Sequence, residues 1–225
     1  MVDMKERIAR RVAKELNDGD VVNLGIGLPT MVAECLPEGV DIILQSENGI
    51  MGMGSAPIAP DPDVVNAGAQ FVSILPGGQY FDSATSFAII RGGHVDATVL
   101  GALEVDRHGN IANWIIPGKM GPGMGGAMDL VVGAKKVIVA MLHTQKGKPK
   151  ILEECSLPYT AVRCVDMIIT EMGVMCVTED GIVLEELHPD YSLEDIKDAT
   201  GCELMISDGL KPMESDQRSN PEYLL

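Results

Sequence analysis

Glu47 stands in the stretch LQSENGIMGMG, residues 44–54, directly after the apolar run Ile42-Ile43-Leu44. Gly49, Gly52 and Gly54 crowd in behind it. Glycine at that density marks backbone in unusual dihedrals, or backbone that another group must approach closely. The carboxylate is therefore either a solvated loop residue or the functional centre of the molecule. Met51 and Met53 beside it could line an apolar pocket.

A second glycine turn, NLGIGLPT, competes for attention as a dinucleotide site. Gly25 and Gly27 begin a GxGxxG-like pattern, and Glu47 follows at about the 20-residue distance of a ribose-binding acid. Thr30 replaces the third glycine and Pro29 lies inside the motif, which removes the support for close helix–strand packing. A literal GxGxxG runs from Gly121 to Gly126 in GPGMGG, but it does not come straight off a strand. Tight turns account for both motifs equally well. His94, His108, His143 and His188 stand apart, and none neighbours a serine in a nucleophile elbow. Lys146, Lys148 and Lys150 in TQKGKPK read as a mobile solvated tip, or else as a phosphate contact.

The elements that must position these residues follow from periodicity. Ile8, Val12 and Leu16 form a helix stripe over residues 4–16, stopped by Asn17-Asp18-Gly19-Asp20. VVNLGIG reads as a buried strand breaking into a glycine turn, and LPTMVAECL as a short helix with Pro29 in its first turn. DIILQ, FVSIL, VDATVLGALEV, IANWIIP and KKVIVAML read as further strands, with DSATSFAIIRGG as a helix between them. GVMCVTEDGIVLEEL predicts a hairpin turned at Asp180-Gly181, and SLEDIKDATG a helix with Ser192 and Asp195 in capping-box register. Short apolar runs alternating with helices predict an α/β fold: an open, mainly parallel sheet with helices on both faces. With no repeat or linker, one domain over residues 1–225 is expected. Ligands of such sheets sit at the carboxyl ends of the strands, where both glycine turns would lie.

Composition narrows the partners. Lys plus Arg is 17 against 33 for Asp plus Glu, a net charge of −16. Such a chain repels nucleic acid and anionic membrane, so neither is expected as a partner. Five cysteines without a CxxC pair point to reduced thiols in the cytoplasm and away from a zinc site. The opening residues lack the apolar core of a signal peptide, and no stretch is apolar for long enough to span a bilayer.

Longer blocks carry a resemblance. SENG, GIGLP, LPGGQYFDSATSFAIIRGGHVDATVLGALEVDRHGNIANWIIPGKM and GMGGAMDLV together resemble the β subunit of family I coenzyme A transferases, the 3-oxoacid and acetate/butyrate–acetoacetate group. The likeness extends over residues 21–201. It implies the CoA-transferase fold, thought to be shared with sugar-phosphate isomerases. It also implies a ping-pong transfer of CoA from an acyl-CoA to a free carboxylic acid, with coenzyme A as substrate and no metal or other cofactor. Glu47 would then be the nucleophile, and Gly126 would offer an oxyanion-hole N–H. Gly25, Gly27, Asn48, Gly49, Asn113 and Gly125 are expected around the substrate. A second oxyanion donor, a glutamine, would come from an α subunit. Ala69 stands where several relatives carry a lysine after NAG, which removes any salt link made there. Two other readings use the same sheet: a non-enzymatic nucleotide or sugar-phosphate binding module, and an isomerase with Glu47 as general base.

Overall fold

The structure is a computed structural model and describes residues 3–118 and 124–214. Helix α1 (Met4–Ala13) buries Ile8, Ala9, Val12 and Ala13 along the expected stripe. Strand β1 (Val21–Leu24), a 3₁₀ helix (Leu28–Cys35), β2 (Ile43–Ser46), β3 (Ile50–Gly54) and β4 (Ser73–Tyr80) come next. They lead to α2 (Ser83–Arg91), β5 (Ala97–Leu100), β6 (Glu104–Asp106) and β7 (Ile111–Ala112). After α3 (Ala127–Gly133) come β8 (Lys136–Ala140), β9 (Thr144–Gln145), β10 (Lys148–Pro149), β11 (Ile151–Leu152) and β12 (Met167–Ile169). Then follow β13 (Gly173–Thr178), β14 (Gly181–Leu187), α4 (Leu193–Asp198) and β15 (Leu204–Pro212).

Ten of these strands form one sheet in the order β15-β14-β13-β12-β8-β5-β1-β2-β3-β4. Its middle, β12-β8-β5-β1-β2, is wholly parallel, and antiparallel pairings join β3, β4, β13 and β14 at the margins. The parallel strands are mainly apolar because both faces are covered, with Asn23, Gln45 and Thr98 among the buried polar exceptions. Ala97, Val99, Ile138 and Ala140 pack with Ile8 and Val12 of α1. On the opposite face Leu100 and Val137 meet Val131 of α3, while Val139 and Ile168 meet Ile196 of α4. Among the described residues no helix is long and apolar enough to cross a membrane.

The hairpin turned at Asp180-Gly181 is present, and so is the capping box: Ser192 Oγ accepts from Asp195 N–H while Asp195 accepts from Ser192 N–H. Other elements depart from expectation. GIMGMG is not a loop, since Ile50–Gly54 pairs antiparallel with β2 as a strand of its own. The LPTMVAEC segment is 3₁₀ and not α, because both the N–H and the hydroxyl of Thr30 bond the Gly27 carbonyl, closing the tighter i→i+3 turn. VDATVLGALEV breaks after Leu100, and β6 joins a separate three-stranded sheet, β11-β6-β7. IANWIIP keeps only two strand residues, Ile111 and Ala112. TQKGKPK is an ordered hairpin, with Lys146 and Gly147 both at positive φ as a two-residue turn demands. Lys150 lies beyond that hairpin, half-buried, and so is no part of a solvated tip.

Candidate active site

Glu47 occupies the turn of the β2–β3 hairpin. Ser46 pairs with Ile50, so Glu47, Asn48 and Gly49 make the whole connection. Gly49 is required here: φ is +117°, and a Cβ would collide with the Phe81 carbonyl oxygen. That close approach lets Phe81 N–H donate to the Gly49 carbonyl at 3.0 Å, locking the turn against the start of α2. The result is a carboxylate at the carboxyl end of a central strand, half-buried.

Gly125 and Gly126, at the start of α3, lie against this carboxylate. A Cβ built on Gly126 would stand 3.0 Å from Glu47 Cγ and 3.3 Å from Oε1, tighter than ordinary contact. One on Gly125 would stand 3.8 Å from the same oxygen. The second oxygen, Oε2, faces the amide of Asn23, whose Nδ2 is 3.5 Å away. So one oxygen of Glu47 faces bare glycine backbone and the other an amide donor. An oxygen held this way can add to an electrophilic carbonyl or take up a proton, with the charge of the product met by nearby N–H groups.

The remaining expected residues are placed around this centre to differing effect. Asn48 is exposed and its side chain donates to the Val65 carbonyl at 2.7 Å, tying the 64–70 loop to the turn. Gly25 follows β1 and hydrogen-bonds the Val99 carbonyl, and Gly27 caps the 3₁₀ helix. Asn113 is engaged elsewhere: its side chain donates to the Gly101 carbonyl and accepts from the Thr160 hydroxyl. Of the GPGMGG motif, Gly121, Pro122 and Gly123 lie outside the described residues. Asn23, Gln45 and Ser86 went unnoticed in the sequence. The signal was there, as Asn23 in VVNL and Gln45 in ILQS are polar residues inside otherwise apolar strands.

A cleft of about 270 Å³ opens one strand away, at the carboxyl ends of β1, β5 and β8, with Ile26, Leu28, Gly101 and Met141 in its wall and Lys5 and Lys150 at its edge. Burial pushes the Lys150 ammonium down to about 8, against the pull of Glu171. Beneath it His143, fully buried, is held neutral by desolvation, down to about 4, with Lys150 adding to the effect.

A family model described as Coenzyme A transferase matches residues 5–199. The chain belongs to the coenzyme A transferase family. It is accordingly a CoA-transferase, an enzyme whose family uses coenzyme A as substrate. The chain is 54% identical over 219 residues to the beta subunit of the acetate CoA-transferase of Haemophilus influenzae, covering 96% of this chain and 98% of that one. It is 48% identical to a subunit of the succinyl-CoA:3-ketoacid coenzyme A transferase of Helicobacter pylori, covering 90% and 99% respectively. Among solved structures, the thioester complex with CoA of an acyl-CoA transferase from Escherichia coli O157:H7 superposes with a TM-score of 0.73 at 28% identity. That match covers 96% of this chain but 44% of the other, so this CoA-transferase chain spans less than half of that longer one.

Proposed function

We propose that this chain is the β subunit of a coenzyme A transferase that moves CoA from an acyl-CoA to a short-chain carboxylic or 3-oxo acid, of the acetate, butyrate and acetoacetate class. An α subunit completes the enzyme, and Glu47 is its nucleophile. The observation that carries this reading is the contact of the Glu47 carboxylate with Gly125 and Gly126, on a strand end where such sheets bind ligands. The names of the two relatives, each a subunit of a larger transferase, support it, as does the thioester complex that the longer transferase forms with CoA.

The chemistry balances without a further reagent. A Glu47 oxygen adds to the acyl-CoA carbonyl, the C–S bond breaks, and an acyl-glutamyl anhydride and CoA thiolate result. The thiolate adds to the glutamyl carbonyl, the anhydride C–O bond breaks, and the first acid leaves a glutamyl-CoA thioester behind. The incoming carboxylate attacks that thioester, and the same steps run in reverse to give the new acyl-CoA and free Glu47. A carboxylate suits this role because its anhydride and thioester conserve the energy of the starting bond. Each addition puts charge on an oxygen, where one well-placed N–H contributes roughly 3 to 4 kcal/mol. Gly126 N–H is the donor we assign from this chain, with an α-subunit glutamine as the second. Gly25, Gly27, Asn48, Gly49, Asn113 and Gly125 belong to the substrate surroundings in the same reading, and a cytoplasmic location suits the five free thiols.

Incubating the αβ complex with acyl-CoA alone should leave CoA on Glu47 as a thioester; hydroxylamine or borohydride then releases CoA and leaves a hydroxamate or an alcohol, which mass spectrometry should locate on the peptide spanning residues 44–54. Glu47→Gln should abolish turnover, since an amide carries no charge to attack with. A label on another residue, or near-normal maximal rates for Glu47→Gln, would demote Glu47 to scaffolding.

A further inference from the structure

Asn23, Gln45 and Ser86 form a hydrogen-bonded line from the interior to Glu47. They are 2%, 1% and 0% exposed, so their polar atoms depend on one another. Asn23 and Gln45 are direct partners on the parallel pair β1–β2, and Ser86 reaches the sheet from α2. The Gln45 backbone carbonyl can only accept, and it takes a hydrogen bond from Asn23 Nδ2 at 3.1 Å. The amide of Asn23 must therefore turn its nitrogen, not its oxygen, toward β2. Gln45 Oε1 accepts from that same nitrogen at 2.8 Å, and Gln45 Nε2 donates to Ser86 Oγ at 2.9 Å. A serine hydroxyl donates or accepts, so it is the Asn23 nitrogen that turns Gln45 Oε1 toward it, while Ser86 holds the far end of that amide in place. Flipping Asn23 would set its oxygen against the Gln45 backbone carbonyl in a dry site.

We propose that Gln45 and Ser86 are positioning residues for the transferase reaction, holding the Asn23 amide so that its nitrogen stays within reach of Glu47 Oε2. The inference rests on Glu47 as nucleophile. In the free subunit the Asn23–Glu47 distance is 3.5 Å, a weak hydrogen bond at best. Once Glu47 is an anhydride or thioester, charge builds on the glutamyl carbonyl oxygen as the next nucleophile adds. Asn23 Nδ2 has two hydrogens for three acceptors, Gln45 O, Gln45 Oε1 and Glu47 Oε2, so the hydrogen it shares with Oε2 at rest gains strength in that state, and only such a difference accelerates the step. An apolar pair at positions 45 and 86 would pack the strands but leave the Asn23 amide, whose terminal torsion is broad, held on β2 by the backbone carbonyl of residue 45 alone.

The test is a double-mutant cycle on the αβ complex. Asn23→Ala should lower kcat about 100-fold, the scale of a lost oxyanion donor. Gln45→Met should lower kcat about tenfold with KM for acyl-CoA within about twofold, because the interaction acts in the transition state. In the Asn23→Ala background, Gln45→Met should change kcat by less than about twofold, since it acts only through that amide. Ser86→Ala, which keeps the helix and nearly the volume, should give a smaller loss that also vanishes in that background; it serves where Gln45→Met fails to assemble. Equal losses in both backgrounds, or wild-type kcat for Ser86→Ala and Gln45→Met, overturn the positioning role. Trapping on the wild-type complex separates the two readings. A label on Glu47 with those failures sinks the relay alone, whereas a label elsewhere sinks both.

Discussion

At the scale of single residues, Gly126 offers a discriminating substitution. Its φ of −82° and ψ of 6° suit alanine as well as glycine, so Gly126→Ala adds no backbone strain. What it adds is a methyl 3.0 Å from Glu47 Cγ, which the carboxylate must move to avoid. A displacement of about 1 Å at a reacting group costs on the order of 100-fold in rate. Gly126→Ala should therefore fold and melt like the wild type while kcat falls by about that factor; wild-type turnover would assign Gly126 to turn geometry alone. His143 makes a prediction of another kind. Its ring nitrogens are each 3.0 Å from a hydroxyl, those of Thr170 and Thr200, with no solvent contact. Burial holds its folded value at about 4, below the 6.5 of an exposed imidazole. Between those values the unfolded chain binds a proton that the folded chain refuses, so acidification through that window favours unfolding. Stability should drop by about 2 kcal/mol between pH 7 and pH 5 from this group alone. Urea midpoints measured at the two pH values should show that drop in the wild type and lose most of it in His143→Gln.

Between elements, α1 is fastened to the sheet by charge as well as by its apolar stripe. Arg11 makes a two-toothed pair with Glu186 of β14, at 2.6 and 2.9 Å, and a third bond to Glu15 at 2.8 Å. Lys136 of β8 pairs with Glu15, and Lys211 of β15 reaches Glu186 at 3.2 Å. The Arg11 and Glu186 side chains are 8% and 7% exposed, so removing one leaves the other buried and undercompensated. Glu186→Ala should cost about 3 kcal/mol in urea unfolding, and Glu186→Leu with Arg11→Met should recover much of it. A loss below about 0.5 kcal/mol would class the pair with exposed salt bridges. Little of this was legible in the sequence, where Arg11 and Glu186 are distant charges. The helix stripe, the hairpin at Asp180-Gly181 and the Ser192 capping box were legible because each is a local pattern. The 3₁₀ turn and the break after Leu100 were not, since Thr30 back-bonding and the departure of β6 to another sheet depend on packing. In the same way Glu47 could be singled out by its glycines. Its contact with Gly126 depends on the sheet bringing two remote turns together, and only the family resemblance anticipated it. Asn23 was missed, although a lone amide in an apolar strand is a sign that something must satisfy it.

For the whole molecule, the proposed function makes incompleteness the property to test. A glutamyl thioester survives only where water is excluded, and Glu47 on this chain alone is half-open to solvent. The net charge of −16 gives no general attraction for an anionic CoA, so affinity must come from enclosed local contacts. The surface is also unfinished in apolar terms. Edge strand β4 exposes Leu75 and Tyr80, Ile26 stands 71% exposed beside the cleft, and α3 presents Val132 at 77%. An unpaired edge and apolar side chains around one end of the sheet are what a permanent partner would cover. The chain expressed alone should therefore be nearly inactive. Mixed with its α subunit it should form a complex stable to gel filtration, with about 2,000 Å² or more buried between them. Activity should track that complex. The thioester trapped on Glu47 should persist in it far longer than in β stripped of its partner by mild denaturant. Light scattering with activity measured across the elution profile checks both statements. Full turnover in a peak containing only this chain would mean that the site is complete as it stands, and that the open side of Glu47 is closed by the substrate itself.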